Sequence, residues 1–409
     1  MVTIKQLARP EDRIIIAYTL SSIDFMAMLV PVMVLLWQNS SLSIGEMLLL
    51  QGIFQLFILF AEIPTGALSD SWFGRKRIEI LGNGLLATSL LSYALATDFS
   101  GFAIGEALGG IALAMKSGNI SSMLYDSLSE QKSVHRFGRI VGKVATMRFL
   151  VASIANIVGG FLGSISLQFP LFLLVLIYSW ITFYDFLALE EPGRIRADTA
   201  RQATMQAMKT IIRSPILIIL MIYTISTGVF SSIVFWGYQP LMIELGGFDS
   251  IMIGFAMAGF NIVAAVGSRL FLKYESRIKV RIWLFGMVSI ALFATIGIFI
   301  ASEVMVLLLS ISFLQIVRGI SAPFSSTIQQ EYLRSSERNS FVSIDSFKNS
   351  VLYIGFSVFL IEQSLGQILS VLIAGYLLIT VLIGMSIMIH YLKAPKLKVL
   401  SLDNAKSHN

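Results

Sequence analysis

The stretch IWLFGMVSIALFATIGIFIA, residues 282–301, carries no charged side chain. The hydrocarbon core of a bilayer is roughly 30 Å thick, and a helix rising about 1.5 Å per residue needs on the order of 20 apolar residues to cross it. This stretch is therefore long enough to span a membrane as one helix. The chain of 409 residues is 56% hydrophobic and 13% charged, and a soluble domain has about twice that charged fraction. The sequence predicts an integral membrane protein.

Twelve stretches of this kind occur along the chain, and they predict an all-α membrane fold with 12 transmembrane helices. We number them spans 1 to 12 in chain order. Their approximate bounds are 14–37, 44–68, 78–97, 101–124, 141–165, 168–189, 214–241, 250–270, 282–301, 303–328, 342–362 and 366–391. The same Gly-Ile pair occurs in span 4, as Gly110-Ile111, and in span 10, as Gly319-Ile320. This match favours an internal repeat that relates the second half of the chain to the first.

The longest polar stretch between spans falls near the middle of the chain and divides it into two halves. We predict an N-terminal six-helix bundle over 1–189, a cytoplasmic linker loop over 190–213, a C-terminal six-helix bundle over 214–392 and a cytoplasmic tail over 393–409. Part of the linker, ADTARQATMQAMKTIIR at 197–213, is suited to an amphipathic helix on the membrane surface.

Basic residues concentrate in every second loop. These loops contain Arg75, Lys76, Arg77, Lys132, Arg136, Arg139, Arg194, Arg196, Arg201, Lys209, Arg213, Lys273, Arg277, Lys279, Arg334 and Arg338. The opposite loops, at 38–43, 98–100, 166–167, 242–249, near 302 and at 363–365, hold no Lys or Arg. Loops rich in Lys and Arg stay on the cytoplasmic side. We therefore expect a multi-pass protein of the cell inner (plasma) membrane with both termini in the cytoplasm.

Several function classes are disfavoured by composition. There is no cysteine, and the three histidines, His135, His390 and His408, are scattered, so we expect no metal site and no cofactor. No GxxxxGK[ST] phosphate-binding loop occurs, so ATP hydrolysis is not expected to supply energy. The net charge of +6 follows from the basic loops, and we expect no nucleic-acid partner. The sequence does not predict an enzyme.

The loop between spans 2 and 3 reads GALSDSWFGRKR, residues 66–77. It resembles the cytoplasmic Gly-x-x-x-Asp-Arg-x-Gly-Arg-Lys signature of the major facilitator superfamily. Two differences are Ser71 in place of arginine and one extra residue between Asp70 and Gly74. We expect Gly66 to permit close helix packing and Gly74 to turn a short loop.

This resemblance implies a fold and a conformational latch. Family members have two pseudo-symmetric six-helix bundles and act as monomers by alternating access. Their latch joins the residues equivalent to Asp70 and Arg75 to an acid at the cytoplasmic end of span 4, where Asp126 stands here. The stretches 61–77, 117–128 and 335–346 together resemble the drug-efflux-like bacterial branch of the superfamily.

Three charged residues, Asp24, Lys116 and Arg318, lie near mid-depth in spans 1, 4 and 10. A charge at that depth costs about 2.5 kcal/mol or more on insertion scales, so each indicates a function or a partner. Spans 1, 4, 7 and 10 line the central cavity in the superfamily. We expect an Asp24–Lys116 pair across the cavity, which would serve either proton coupling or permanent structure.

Other candidate site residues follow from the same depth argument. Asp24 and Glu106 are expected to carry protonation, with Lys116 and Arg318 setting the cavity potential. Glu62, two residues before Pro64, has a coupling role or a structural role as open alternatives. Two further residues at the outer end of span 7, Tyr238 and Gln239, either join an interfacial belt or contact substrate. Arg148 is expected to extend to the inner headgroups.

These observations predict a secondary active transporter. The leading expectation is proton-coupled antiport that exports small amphipathic or drug-like molecules. One alternative is ion-coupled uptake of a small, possibly anionic, metabolite held by Arg318, and another is a non-transporting membrane sensor. The expected partners are a small-molecule substrate, protons or another coupling ion, and the lipid bilayer.

Overall fold

The structure is a computed structural model that describes residues 10–70, 73–117, 119–191, 200–275, 277–333 and 335–393. Regular secondary structure in these ranges is helical, with no β-strand, so the all-α fold class is confirmed. Residues 394–409 of the predicted tail, and 192–199 of the predicted linker, lie outside the described ranges.

The N-terminal half contains helices α1 to α8. They are Pro10–Ser22, Val30–Asn39, Ile44–Asp70, Arg75–Leu95, Phe99–Lys116, Asn119–Glu130, Phe137–Ile165 and Phe169–Ala188. Asp98 begins α5 by accepting a hydrogen bond from the Gly101 backbone N–H, which would otherwise lack a partner in the first turn. This bond and a second from the Ser100 hydroxyl hold the pKa of Asp98 below its ordinary value.

The C-terminal half contains helices α9 to α16. They are Ala200–Arg213, Pro215–Ile225, Ser231–Gly246, Ser250–Tyr274, Val280–Phe299, Val304–Tyr332, Ser335–Phe359 and Leu365–Lys393. The helix α9 forms inside the predicted linker, and it buries Ala207 and Ile211 where it packs against α15. Its opposite side exposes Met205, Met208 and Ile212. A location on the membrane surface stays a prediction for this helix.

Ten helical segments within the described ranges are long and apolar enough to cross a bilayer. They correspond to every predicted span except 4 and 11. The hydropathy of α5, in span 4, is lowered by Glu106 and Lys116, and that of α15, in span 11, by Asp345 and Lys348. The total of twelve membrane crossings therefore stays a prediction.

Three of the predicted cavity-lining spans are interrupted near their middle. Span 1 breaks at Asp24, whose backbone is non-helical (φ −87°, ψ 65°), and span 4 breaks between Lys116 and Asn119. Span 7 contains a π-helical turn at Ser226–Phe230 between α10 and α11. Spans 1 and 4 therefore each contain more than one helical segment. Serine and aspartate are common near helix ends, and in this segment the Ser21 hydroxyl donates to Glu79 while the Asp24 carboxylate accepts from Arg148.

The two halves show the same close helix contact at the repeated Gly-Ile pair. A Cβ added at Gly110 of α5 would lie 2.5 Å from the Phe54 carbonyl oxygen of α3, so the two backbones are in close contact there. Gly319 of α14 approaches the Ala264 carbonyl of α12 in the same way. Span 4 therefore packs on span 2 as span 10 packs on span 8, which is the relation expected of a structural repeat.

Candidate functional site

The two halves are packed together at one end of the bundle, which we call the outer end. The α2 helix ends and α3 begins at this end. The indole rings of Trp37 in α2 and Trp236 in α11 are 5.1 Å apart between centroids. The Ser350 hydroxyl of α15 donates to the Gln55 side-chain oxygen of α3 at 3.1 Å. These contacts join the N-terminal and C-terminal halves directly.

Glycines bring the helix backbones of the two halves close together at the outer end. A Cβ at Gly254 of α12 would lie 2.6 Å from the Asn156 carbonyl oxygen of α7. The Ser250 hydroxyl of α12 donates to the Gly160 carbonyl of α7 at 2.9 Å. On the other side of the bundle, Gly52 of α3 faces the Ser357 side chain of α15, and Gly45 faces the backbone of Ile361, just after α15. We call the four positions Gly45, Gly52, Gly160 and Gly254 the glycine seam.

A cavity of about 780 Å³ lies below the seam, mainly in the N-terminal half. It extends towards the inner end of the bundle as far as Ser121 of α6 and Val141 of α7. Its ionisable lining residues are Asp24, Glu106, Lys116 and Arg148. Its apolar and aromatic lining includes Met26, Met33, Phe54, Tyr93, Tyr178 and Trp236. A concave, largely apolar site with a few charged groups suits a small molecule.

Asp24 and Lys116 both line the cavity, but they do not form the predicted pair. Asp24 contacts the guanidinium of Arg148 at 3.4 Å instead. The Lys116 ammonium donates to the Asn83 side-chain oxygen and lies 5.2 Å from the Tyr178 ring centroid. The prediction that Arg148 extends to the inner headgroups is wrong, because α7 turns this side chain towards α1 and the cavity.

Glu106 is buried at the upper part of the cavity. Its carboxylate accepts hydrogen bonds of 2.5 Å from both the Gln51 amide of α3 and the Tyr93 hydroxyl of α4. Only 5% of the residue is exposed. A buried acid with two neutral donors and a cavity beside it can change its protonation as the water content of the cavity changes.

Glu62 lies apart from this cavity. It lines a separate cavity of about 290 Å³ between α3, α5 and α6, together with Ser69, Arg75 and Asn119. The Thr65 hydroxyl, one turn further along α3, donates to the Ala61 carbonyl at 2.7 Å. Glu62 therefore shares a polar cavity with Arg75 of the signature stretch.

The second-half candidates lie outside the lining of the large cavity. Tyr238 and Gln239 are buried within helix packing, and the Tyr238 hydroxyl points at the Met257 sulfur. Arg318 is exposed and donates to the Asn261 side-chain oxygen at 2.6 Å. Its guanidinium is close enough to interact electrostatically with Asp24.

The sequence profile of the Major Facilitator Superfamily matches residues 14–355. The chain belongs to the major facilitator superfamily. It is therefore a membrane transporter by family, with a small-molecule substrate and a bilayer around it. No curated protein sequence matches it.

Solved structures of superfamily transporters share the fold. The nucleoside transporter NupG aligns with a TM-score of 0.74 at 10% identity, over 93% of this chain and 99% of its own. A POT family peptide transporter, described as auto-inhibited, aligns at 0.72 and 11%, over 98% and 99%. A bacterial homologue of the human lysosomal transporter Spinster, in an inward-facing and unoccupied conformation, aligns at 0.65 and 16%, over 93% and 94%. These identities support the fold alone.

The signature stretch 66–77 runs from the end of α3 to the first turn of α4, both in the N-terminal half. The Arg75 guanidinium contacts the Asp126 carboxylate of α6. The Glu191 carboxylate, just after α8, accepts from the backbone N–H groups of Arg75 and Lys76 at 2.7 and 2.9 Å and so caps α4. Gly74 has φ +88°, which glycine adopts readily, and a side chain there would meet the Glu191 carboxylate at 2.7 Å.

Two other signature residues give different results. A Cβ at Gly66 would meet no atom of the described residues within 4 Å, so close helix packing at Gly66 stays a prediction. Asp70 is the last residue of α3, and its side chain lies outside the described part of the structure.

Several charged residues inside the predicted spans were not identified as candidates from the sequence. Glu79 and Asp185 are fully buried acids next to Lys116. In the C-terminal half, the Lys348 ammonium contacts the Asp345 carboxylate at 2.6 Å. All of these residues lie within the predicted spans 3, 6 and 11, so the cost of burying a charge was available as a signal for each.

Proposed function

We propose that this superfamily member exports small amphipathic or drug-like molecules from the cytoplasm by proton-coupled antiport. The observation that carries the proposal is the large cavity with an apolar and aromatic lining that also contains Asp24 and Glu106. Aromatic and methionine side chains accept varied apolar molecules, and an acid beside the same space can exchange a proton with it.

Alternating access is proposed as the transport mechanism. The seam closes the outer end, and the cavity extends towards the inner end, so the conformation fits one in which the substrate enters from the side of the α3–α4 loop. Separation of α7 from α12 and of α3 from α15 would open the outer end. We assign Gly74, Arg75 and Asp126, with Gly66 and Asp70, to the latch at the inner end. The basic loops favour cytoplasmic termini in an inner (plasma) membrane, and the family resemblance favours a monomeric protein.

The coupling roles are assigned by location. Glu106 is the first candidate, because its two hydrogen-bond partners come from helices on either side of it, α3 and α4. Asp24 is the second, because its contact with Arg148 joins span 1 to α7 in the lining of the cavity. Glu62 belongs with the inner latch, where a proton on it would alter the polar cavity around Arg75.

The test is the accumulation of a fluorescent lipophilic cation in inside-out membrane vesicles under an imposed pH gradient. We expect vesicles with the wild-type protein to accumulate the dye, and the Asp24→Asn/Glu106→Gln double variant to lose the dependence on the pH gradient. The exposed loop variant Glu303→Gln is the matched control and should behave like the wild type. Full pH-gradient dependence in the double variant would remove the proposed roles of these two acids.

A second candidate function, ion-coupled uptake of a small anionic metabolite, is favoured by one observation. Arg148 and Lys116 line the cavity, and Arg318 presents an exposed guanidinium close to it. Arginine suits recognition of carboxylate and phosphate groups. Stabilisation of the protein against heat by organic anions, lost in Arg318→Ala, together with no dye accumulation, would favour uptake. A protein that moves neither class of solute in liposomes would favour the sensor alternative.

A further inference from the structure

A hydrogen-bonded cluster of charged side chains lies beside the cavity, between α4, α5 and α8. Asn83 is its centre. The Asn83 amide nitrogen donates to Asp185 at 2.9 Å and to Glu79 at 3.4 Å, and the amide oxygen accepts from the Lys116 ammonium. Glu79, Asn83 and Asp185 are fully buried. The cluster therefore holds two carboxyl groups away from bulk solvent and binds the ammonium of a residue that lines the cavity.

The two carboxyl groups have unequal sets of donors. Glu79 also accepts hydrogen bonds from the Ser21 hydroxyl at 2.5 Å and from the Asn119 amide at 3.0 Å. Asp185 accepts the bond from Asn83 on Oδ2, and its buried Oδ1 has no hydrogen-bond partner among the described residues. An ionised carboxylate oxygen buried without a donor is costly, whereas a protonated carboxyl group carries no charge. Asp185 is therefore the better place for a proton.

Two other cationic side chains near Asp185 donate hydrogen bonds to carbonyl groups at the end of α8. The charged and titratable groups around Asp185 are Glu79 and Lys76 from α4, Lys116 from α5, Arg13 from α1 and Tyr184 from α8 itself. Lys76 donates to the Phe186 carbonyl and Arg13 to the Ala188 carbonyl, each at 3.1 Å. Cations in these positions complement the helix C-terminus. Lys116 is the cation bonded within the cluster itself.

We propose that Glu79 and Asp185 together bind one exchangeable proton and that Lys116 transmits the change of charge to the cavity. Two carboxylates that share a buried site do not ionise independently, so the pair is expected to titrate as a unit. With the proton bound, ionised Glu79 balances Lys116. When the proton leaves, the second negative charge holds Lys116 at Asn83.

The cluster is connected to the cavity through two residues. Ser21, which donates to Glu79, and Lys116 both line the cavity, so water there reaches the hydrogen-bonded network directly. Proton binding weakens the attraction that holds Lys116 and allows its ammonium to turn towards the cavity. A proton bound by the Glu79–Asp185 pair would thus change the charge that the cavity presents to a substrate. This inference rests on the proposed transport function for that last coupling step.

Infrared spectroscopy of the protein in lipid vesicles tests proton binding without any substrate. A protonated carboxyl group has its own C=O absorption, which disappears on ionisation. We expect a titrating band of roughly one carboxyl group per protein from the pair, lost in Asp185→Asn and equally in Glu79→Gln. Glu106→Gln identifies the contribution of the other buried acid, and the exposed Glu303→Gln is the control.

A second variant keeps the result decisive if a carboxyl variant fails to fold. Lys116→Gln removes the balancing ammonium, so the protonated signal should rise by about one carboxyl group relative to the wild type. A wild-type signal that vanishes entirely in Glu106→Gln, or one that persists in both Asp185→Asn and Glu79→Gln, would overturn the inference. So would a Lys116→Gln signal equal to that of the wild type.

Dye accumulation in inside-out vesicles then tests the coupling step. Asp185→Asn should reduce the stimulation by a pH gradient while dye movement down its own gradient continues. Wild-type vesicles that accumulate no dye would refute the export proposal and leave the spectroscopic result standing. Unchanged stimulation in Asp185→Asn would refute the coupling role of the cluster.

Discussion

Replacement of Gly254 by alanine tests whether the outer glycine seam holds the two halves together. The new Cβ would lie 2.6 Å from the Asn156 carbonyl oxygen of the facing helix. Carbon and carbonyl oxygen approach no closer than about 3.3 Å in ordinary contacts, so α7 and α12 would have to separate by about 0.7 Å. Overpacking of this kind costs about 1–3 kcal/mol.

The cost applies only while the outer end is closed. Alanine also favours helix over glycine by up to about 1 kcal/mol, but that gain is the same in both conformations and does not change their ratio. The clash alone therefore shifts the equilibrium towards an open outer end by about 5- to 150-fold. Gly259→Ala is the matched control, because it is in the same helix and its Cβ would meet no atom of the described residues within 4 Å.

The shift is measurable as a distance between spin labels. The chain has no cysteine, so Thr97→Cys and Glu362→Cys label two exposed outer loops, one in each half, without further changes. Double electron–electron resonance should show a longer distance population that grows in Gly254→Ala and not in Gly259→Ala. Equal distributions in the two variants would refute the assignment of Gly254 to a contact that opens during transport.

Three further predictions test charges outside the cavity. Arg75→Gln and Asp126→Asn should each lower the free energy of unfolding in detergent by about 2 kcal/mol, and the double variant by less than the sum; strict additivity would show that the pair contributes nothing. Lys348→Met should lower the thermal midpoint more than Lys348→Met combined with Asp345→Asn, because the single change leaves a part-buried carboxylate unpaired; the opposite order would contradict this. Asp98→Ala should lower the midpoint at neutral pH. Because the pKa of Asp98 is lowered in the folded state, its contribution is present above its ordinary pKa and is lost as the pH falls through the lowered value, so a deficit that persists unchanged in acid would contradict the role of its charge.

The fold was predictable because a bilayer imposes a length on every spanning helix. Runs such as 282–301 have one plausible use, and α13 at Val280–Phe299 agrees with that span within two residues. The interruptions in the helices were harder to predict. A helix that breaks at Asp24 in a lipid-facing position would be costly, and only the neighbouring cavity makes the break tolerable.

Three charged residues of the cavity were predictable from the sequence, but their pairs were not. The depth in the bilayer predicted from sequence position placed Asp24, Glu106 and Lys116 at one cavity, and all three line it in the structure. Depth says nothing about which way a side chain turns around its helix. The stem of Lys116 passes over Gly82, where a Cβ would lie 2.9 Å from the Lys116 Cγ, and so it reaches Asn83 rather than Asp24. That orientation depends on contact between α4 and α5, which single-sequence spacing does not encode.

Glu106, one of the residues proposed to bind a proton, and the glycine seam are linked by neighbouring residues in α3. Gln51 donates to Glu106, and the next residue, Gly52, packs against Ser357 of α15. Tyr353, one turn earlier in α15, is close enough to Glu106 to interact electrostatically. A movement that separates α3 from α15 must therefore change the surroundings of Glu106 at the same time. Coupling between the proton and the outer opening then needs no long pathway, because both act on one stretch of one helix.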